Sequence, residues 1–421
     1  MTTRRIGPLR NASIGEFLRT VISGIAIAAG VAMTFAAYGQ APVERAPIRI
    51  GFVCPFTGGS ADFGNSARLG AELAVKEINE VGGFLGRSIE LVARDDRSNP
   101  DEGRRIAEEL VGREKVAFTV GYCNTGVALK ALDVFQLSRS ILVVPVATGS
   151  AVTAAYSPAD SYIFRMAARD SDQAGFLVDE VAGRAGFTRI ALFADRSGYG
   201  EGGIKDLEKN LAARGLKPVH VARFDVGVSS LIDQIRQARG AGAQAIIGYT
   251  LASEFVALLQ AHSEGRFPGP VYGSSPLSFS TVHERAGPAA EGARVSVTVI
   301  HDLSNERRSS FIARLARHAN PQKVSSLLTA AQTYDSVHLM LRVLFQTKGD
   351  TSGPALKAAL EDLQMPYRGV VTTHEKPFSA ADHDAFTRNM IWLGVWRKGE
   401  IEFAHSEDAK RSSIMRTKVT R

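Results

Sequence analysis

The run Gly198-Tyr199-Gly200-Glu201-Gly202-Gly203 has the spacing G-x-G-x-x-G, and it follows an apolar stretch. Asp225 stands 22 residues beyond the last of these glycines. In that pattern a strand–turn–helix unit cradles a pyrophosphate, and the acid takes a ribose hydroxyl. Here Asp195-Arg196-Ser197 separates the apolar stretch from the first glycine, which spoils the tight turn. The motif also falls well inside the chain, not in its first strand–helix unit. The plainer reading is a glycine-rich turn that opens a helix and exposes Tyr199. An extracytoplasmic dinucleotide-dependent enzyme is kept only as a minor alternative.

Other chemistry is weaker still. His374-Glu375 has no second histidine four residues on, and Asp382-His383-Asp384 reads as a solvated polar turn. No G-x-S-x-G elbow or G-x-x-x-x-G-K-[ST] loop occurs, and Cys54 and Cys123 have no nucleophile signature around them. No catalytic residue, metal or cofactor is expected, so the chain reads as a non-enzyme. What remains is six polar loops: 55–65, 122–126, 147–150, 195–202, 250–253 and 274–278. They are rich in Gly, Ser, Thr and Asn, whose N–H and hydroxyl groups suit a small anion at a helix N-terminus. Each alone is an ordinary capping loop; together they suggest a cleft.

The elements that must position these loops follow a repeating grammar. Strands are expected at Ile48–Val53, Ser88–Ala93, Val116–Val120 and Ile141–Val146, each followed or separated by helical periodicity. The pattern restarts with strands at Arg189–Ala194, Pro218–Phe224, Ala245–Tyr249 and Val271–Gly273. A third stretch holds a strand at Val295–Ile300, three helices, and a hairpin from Asn389–Trp396 to Glu400–Phe403. Alternation of this kind gives parallel sheets covered by helices on both faces. In such sheets, ligands bind outside the carboxyl ends of the strands. The length of 421 residues and a hydrophobic share of 45% call for more than one domain. The charged share of 22% excludes disorder and coiled coil.

The N-terminus has arginines up to Arg19, an apolar run Val21–Ala37, and small residues at Ala37 and Gly39. This is the layout of a signal peptide, 1–39, cut near Gly39, and it implies export. Residues 1–39 hold four arginines and Glu16, so +3 of the total +7 leaves with them and +4 remains. No run of five like charges occurs, and nucleic-acid binding is not expected.

The stretch Thr57–Val111, with Gly58, Gly64, Gly70, Ile78-Asn79, Gly82-Gly83, Gly86, Asp95-Asp96 and Pro100, resembles the periplasmic leucine/isoleucine/valine-binding receptors of ABC importers. Phe164–Gln173 (FRMAARDSDQ), Ser197–Gly202 and Lys376–Phe386 also match, so the resemblance runs from about Ile48 to Phe403. It implies a type I periplasmic-binding-protein fold: two doubly wound, flavodoxin-like α/β lobes joined by three crossover strands. The first lobe would be 47–168 plus 299–368, the second 169–298 plus 369–405, with 406–421 a frayed tail. A monomer would capture a small carboxylate (an amino acid, or an aromatic or aliphatic acid) by hinge closure and dock on ABC permease subunits. A sensor of the same fold is the alternative.

The resemblance places Asn124 and Thr125 on the ligand carboxylate, with Ala147 and Thr148 contributing backbone and hydroxyl contacts. Phe63 and Tyr199 fall at aromatic positions. Two positions depart from it: Leu251 stands where a tyrosine is usual, and Ser275 where a glutamate pairs with the ligand ammonium. Asp170, Asp172 or Asp195 would have to supply that charge. In a 2-1-3-4-5 strand order the first and third strands are neighbours, which makes a Cys54–Cys123 bridge feasible.

Overall fold

The computed structural model describes Thr2 and residues 46–302, 305–412 and 416–419. The chain separates into two units, Met1–Ala46 and Pro47–Arg421, and the second contains both sheets. Apart from Thr2, the signal peptide expected at 1–39 lies outside the described residues.

The first lobe is built on five parallel strands: β1 (Ile48–Cys54), β2 (Ile89–Asp95), β3 (Thr119–Gly121), β4 (Leu142–Val144) and β5 (Ile163–Arg165). Their order is 2-1-3-4-5. The second lobe repeats this with β6 (Ile190–Asp195), β7 (His220–Phe224), β8 (Ala245–Tyr249), β9 (Val271–Gly273) and β10 (Arg294–Val297), in the order 7-6-8-9-10. A short antiparallel pair, β11 (Tyr367–Arg368) and β12 (Thr373–His374), stands apart. The hairpin β13 (Trp392–Arg397) and β14 (Glu400–Phe403) then extends the second sheet antiparallel to β10. Strand β1 reads IRIGFVC and is buried along almost its whole length, as expected for a parallel strand covered on both faces.

Helix Ala61–Glu80 buries Leu69, Leu73 and Ile78 and packs against the distant helix Leu327–Gln346. Gly70 sets their separation, because a Cβ there would lie 2.2 Å from the Ala330 carbonyl oxygen. Gly70→Ala must push the helices apart and is expected to cost about 1–3 kcal/mol, in the range of core overpacking. A denaturant midpoint equal to wild type would contradict this.

Two expectations need correction. Residues from 369 onward do not pass directly to the second lobe. The Arg165 N–H donates to the His383 carbonyl at 2.9 Å, and the Ala385 N–H donates to the Arg165 carbonyl at 2.9 Å. This seats 383–385 at the β5 edge of the first sheet, and the chain joins the second sheet only at Trp392. The tail also does not fray where it is described. Arg416 lies 3.3 Å over the Trp392 ring and donates to the Asn389 and Ile391 carbonyls. Lys418 donates to the Pro377 and Asp384 carbonyls. A polar composition concealed this, because long cationic side chains can find backbone acceptors while their stems pack.

Candidate ligand cleft

A cavity of about 370 Å³ opens where the carboxyl ends of both sheets meet. On the first-lobe side, β3 runs through Tyr122 and Cys123 into Asn124, the residue before helix Thr125–Ser138. Asn124 is extended, as a cap should be, yet its side chain does not cap the helix. Its Nδ2 instead donates to Ser60 Oγ at 3.0 Å, and its Oδ1 is buried without a partner. The first N–H groups of the helix, from Thr125, Gly126 and Val127, therefore have no side-chain acceptor, and all three residues line the cavity. Thr125 Oγ1 accepts from the Gly149 N–H at 3.2 Å, which leaves its proton for another acceptor.

The second lobe supplies the counterpart. Asp195, fully buried at the end of β6, accepts from the Ser197 N–H, the Thr250 hydroxyl and the Leu251 N–H. These bonds fix the two loops that carry Ser197, Gly198 and Leu251 into the cavity wall. Ser197 caps helix Gly198–Ala212 by accepting from Tyr199 and Gly200. The two helix starts face each other closely: a Cβ on Gly198 would lie 3.7 Å from the Gly126 Cα. Both positive helix ends thus converge on one space.

Contacts between the lobes bound it. Thr281 donates to Asp62 at 2.8 Å, Ser150 donates to Asp206 at 2.7 Å, and Phe63 meets Phe279 edge-on at 4.5 Å. Behind the wall, Tyr249 donates to Asp170 Oδ1 at 2.6 Å, while Asp170 Oδ2 makes no well-formed hydrogen bond among the described residues. Burial drives the Asp170 carboxyl up to about 7, partly offset by the Tyr249 and Thr148 hydroxyls. An aspartate raised in the fold disfavours folding once it must ionise. Its penalty is absent below the unfolded value near pH 4, grows with pH, and is complete above about 7. Asp170→Asn should therefore gain stability relative to wild type between pH 4 and 8, by on the order of a few kcal/mol. Parallel thermal melts at pH 4.5 and 8 check this; an unchanged difference would contradict it.

Of the residues singled out in the sequence, Phe63, Asn124, Thr125, Thr148, Tyr199, Leu251 and Ser275 all line this cavity. Ala147 does not. It is buried, and its N–H is committed to the Tyr122 carbonyl at 3.1 Å, so that donor cannot serve a ligand. Ser98, Pro100 and Val226 were not foreseen. They follow the outer strands β2 and β7, and the same strand-end rule could have found them. Cys54 and Cys123 are bridged, with Cα atoms 5.2 Å apart, and Cys123 touches the cavity.

The glycine motif receives a different explanation. It lies inside the helix, not in a turn before it, and Tyr199 is 8% exposed instead of open. A Cβ on Gly200 would fall 2.1 Å from the Asp195 carbonyl oxygen, and one on Gly203 would fall 2.1 Å from the Tyr249 ring. The glycines let the helix press on β6 and β8.

A larger cavity of about 1020 Å³ lies beside the third crossing and the tail, lined by Arg169, His374, His383 and Lys418 among others. Several of its charges are already engaged. Arg169 pairs with Asp384, His383 pairs with Glu361, and Lys418 meets the Pro377 and Asp384 carbonyls. None of the loops whose helix starts converge on the smaller cavity reaches it, apart from the distal end of the β4 loop.

The family model for periplasmic binding protein matches residues 47–400. A relative named Leu/Ile/Val-binding protein homolog 3, from Brucella melitensis biotype 1, is 31% identical over 226 residues. That match covers 54% of this chain and 58% of the relative, little more than half its length. Among solved structures, a branched-chain amino acid transporter substrate binding protein, LivJ from Streptococcus pneumoniae in complex with isoleucine, aligns with a TM-score of 0.74 at 23% identity. It covers 85% of this chain and 98% of that one. A solute binding protein of an ABC transporter from R. palustris, in complex with benzoate, aligns with a TM-score of 0.74 at 20% identity, covering 85% and 95%. The family is one of solute-binding proteins and not of enzymes, and its fold is this same two-lobed arrangement. With a family model spanning most of its length and both lobes in place, the chain belongs to the periplasmic binding protein family.

Proposed function

We propose that this protein is the exported, monomeric solute receptor of an ABC importer, that it captures a small carboxylate between its lobes, and that it hands the ligand to membrane permease subunits. The observation that carries the reading is the convergence of two helix N-termini on one cavity whose wall includes Thr125, Gly126 and Gly198. The first end offers open N–H groups and dipole together; the second, whose Tyr199 and Gly200 N–H groups are taken by Ser197, offers its dipole. In this reading the signal peptide is removed near Gly39. Asn124, Thr125 and Thr148 take the carboxylate first, on the first lobe. Tyr199, Leu251 and Ser275 meet it from the second as the lobes close, and the Asp62–Thr281 and Ser150–Asp206 bonds hold the closed form.

A thermal-shift screen of residues 40–421 tests this. The panel holds branched-chain and other amino acids, aromatic acids, short aliphatic acids and dicarboxylates. A ligand at a hundred times its Kd adds about 2.7 kcal/mol, a shift of a few degrees in a chain this long. At least one small carboxylate should give it. A panel without any stabiliser would contradict the reading.

A further inference from the structure

We infer that the ligand carries no ammonium group: the cleft is built for an apolar monocarboxylate and not for an α-amino acid. The inference rests on the proposed receptor function. Among the described residues, none lining the cavity is an Asp, Glu, Lys, Arg or His. Its polar groups are N–H donors, the neutral hydroxyls of serines and threonines, and the Asn124 amide, whose Nδ2 turns to Ser60 and whose Oδ1 is buried; the rest of the wall includes Phe63, Val146, Val226, Leu251 and Pro100. A carboxylate fits this arrangement, because two positive helix ends and several hydroxyls point at the same space. An ammonium does not. It would meet the same helix ends with repulsion, and it would be enclosed without an opposite charge, which costs several kcal/mol.

Carboxylates do lie behind the wall, but each is occupied or withdrawn. Asp195 holds three donors. Glu254 accepts from the Gly227 N–H and the Ser253 hydroxyl. Asp96 accepts from the Ser98 N–H, and Asp170 from Tyr249. The last two each keep one oxygen without a well-formed hydrogen bond, but both side chains are fully buried and neither lines the cavity. Neither touches a ligand held in the cavity. Tyr199 lines the cavity, but its hydroxyl is itself buried and so is not among the donors that face a ligand.

Matched pairs that differ only in the ammonium test this: leucine against 4-methylpentanoate, and phenylalanine against 3-phenylpropanoate. Each is titrated calorimetrically into residues 40–421 at pH 7.5. The amine-free member of a pair should bind at least tenfold more tightly. Equal affinity, or a tighter amino acid, overturns the inference and leaves the receptor reading standing. If neither pair nor any carboxylate of the wider panel binds, the receptor reading itself fails and the inference falls with it. A second variant fixes the cause. Ser275→Glu places a carboxylate on the wall and should move the leucine to 4-methylpentanoate affinity ratio at least tenfold toward leucine. A folded variant with an unmoved ratio counts against the missing charge as the deciding feature.

Discussion

Replacing Asn124 and Thr125 together by alanine is expected to weaken carboxylate binding by a factor on the order of 10²–10³ while leaving the fold intact. A hydrogen bond to a charged group contributes roughly 1.5–3 kcal/mol, and about 1.4 kcal/mol is tenfold in affinity. Thr125 contributes a hydroxyl proton that the Gly149 bond leaves free, and this is lost in the variant while its backbone N–H stays. Asn124 contributes differently. Its Nδ2 gives one proton to Ser60 and has a second for the ligand, which alanine cannot supply. The pair should fall short of full additivity, because Ser60 and Gly149 each lose a partner and shift. The unfolding midpoint should fall modestly, since Thr125 is buried and its loss leaves the Gly149 N–H without that acceptor. Titration of the double variant decides the matter; an affinity within threefold of wild type would place the carboxylate elsewhere.

Arg165→Met should be strongly destabilising, at about 3–5 kcal/mol, the range for breaking a buried ion pair from one side, although Asp384 keeps Arg169 and the Thr153 hydroxyl. Arg165 has 0% exposure. Its guanidinium pairs with Asp384 and donates to the carbonyls of Thr148 and Gly149, both at 2.7 Å, and to the Thr153 hydroxyl at 2.6 Å. It therefore ties the β4 loop, with Thr148 on the cavity wall, to the segment that leads into the third crossing. A stability loss alone would describe any buried arginine. The link to the loop adds a second expectation: any folded Arg165→Met protein should bind ligand more weakly, because Thr148 is no longer held. Asp384→Asn keeps much of the hydrogen bonding and should cost less on both counts. A denaturant midpoint and an affinity both equal to wild type for Arg165→Met would contradict this.

Much of the architecture is legible from residue pattern. Strands buried on both faces give continuous apolar runs such as Ile48–Cys54, and these survive any error in boundaries. Strand β5 is harder to read. It is three residues long, and its arginine is buried only because Asp384 lies 219 residues later. The seating of 383–385 against β5 is hidden for the same reason: local pattern carries no signal for a partner that far away. The cleft loops are legible because chemistry concentrates after strand ends, so most of the side chains named from the sequence line one cavity. Ala147 is the exception, since its N–H belongs to a backbone bond that only the fold reveals. The glycine motif shows the reverse error. Its spacing mimics a phosphate loop, but Gly200 and Gly203 answer to the Asp195 backbone and the Tyr249 ring.

The central claim is that a carboxylate sits at the two helix ends. Its most direct test is a calorimetric titration of the best-binding acid from the screen beside its primary amide, which keeps the shape and removes the charge. Loss of at least a hundredfold in affinity for the amide is expected, because helix dipoles and charge-assisted bonds act on the anion alone. An amide that binds as tightly as the acid would contradict the claim and move recognition to the apolar wall.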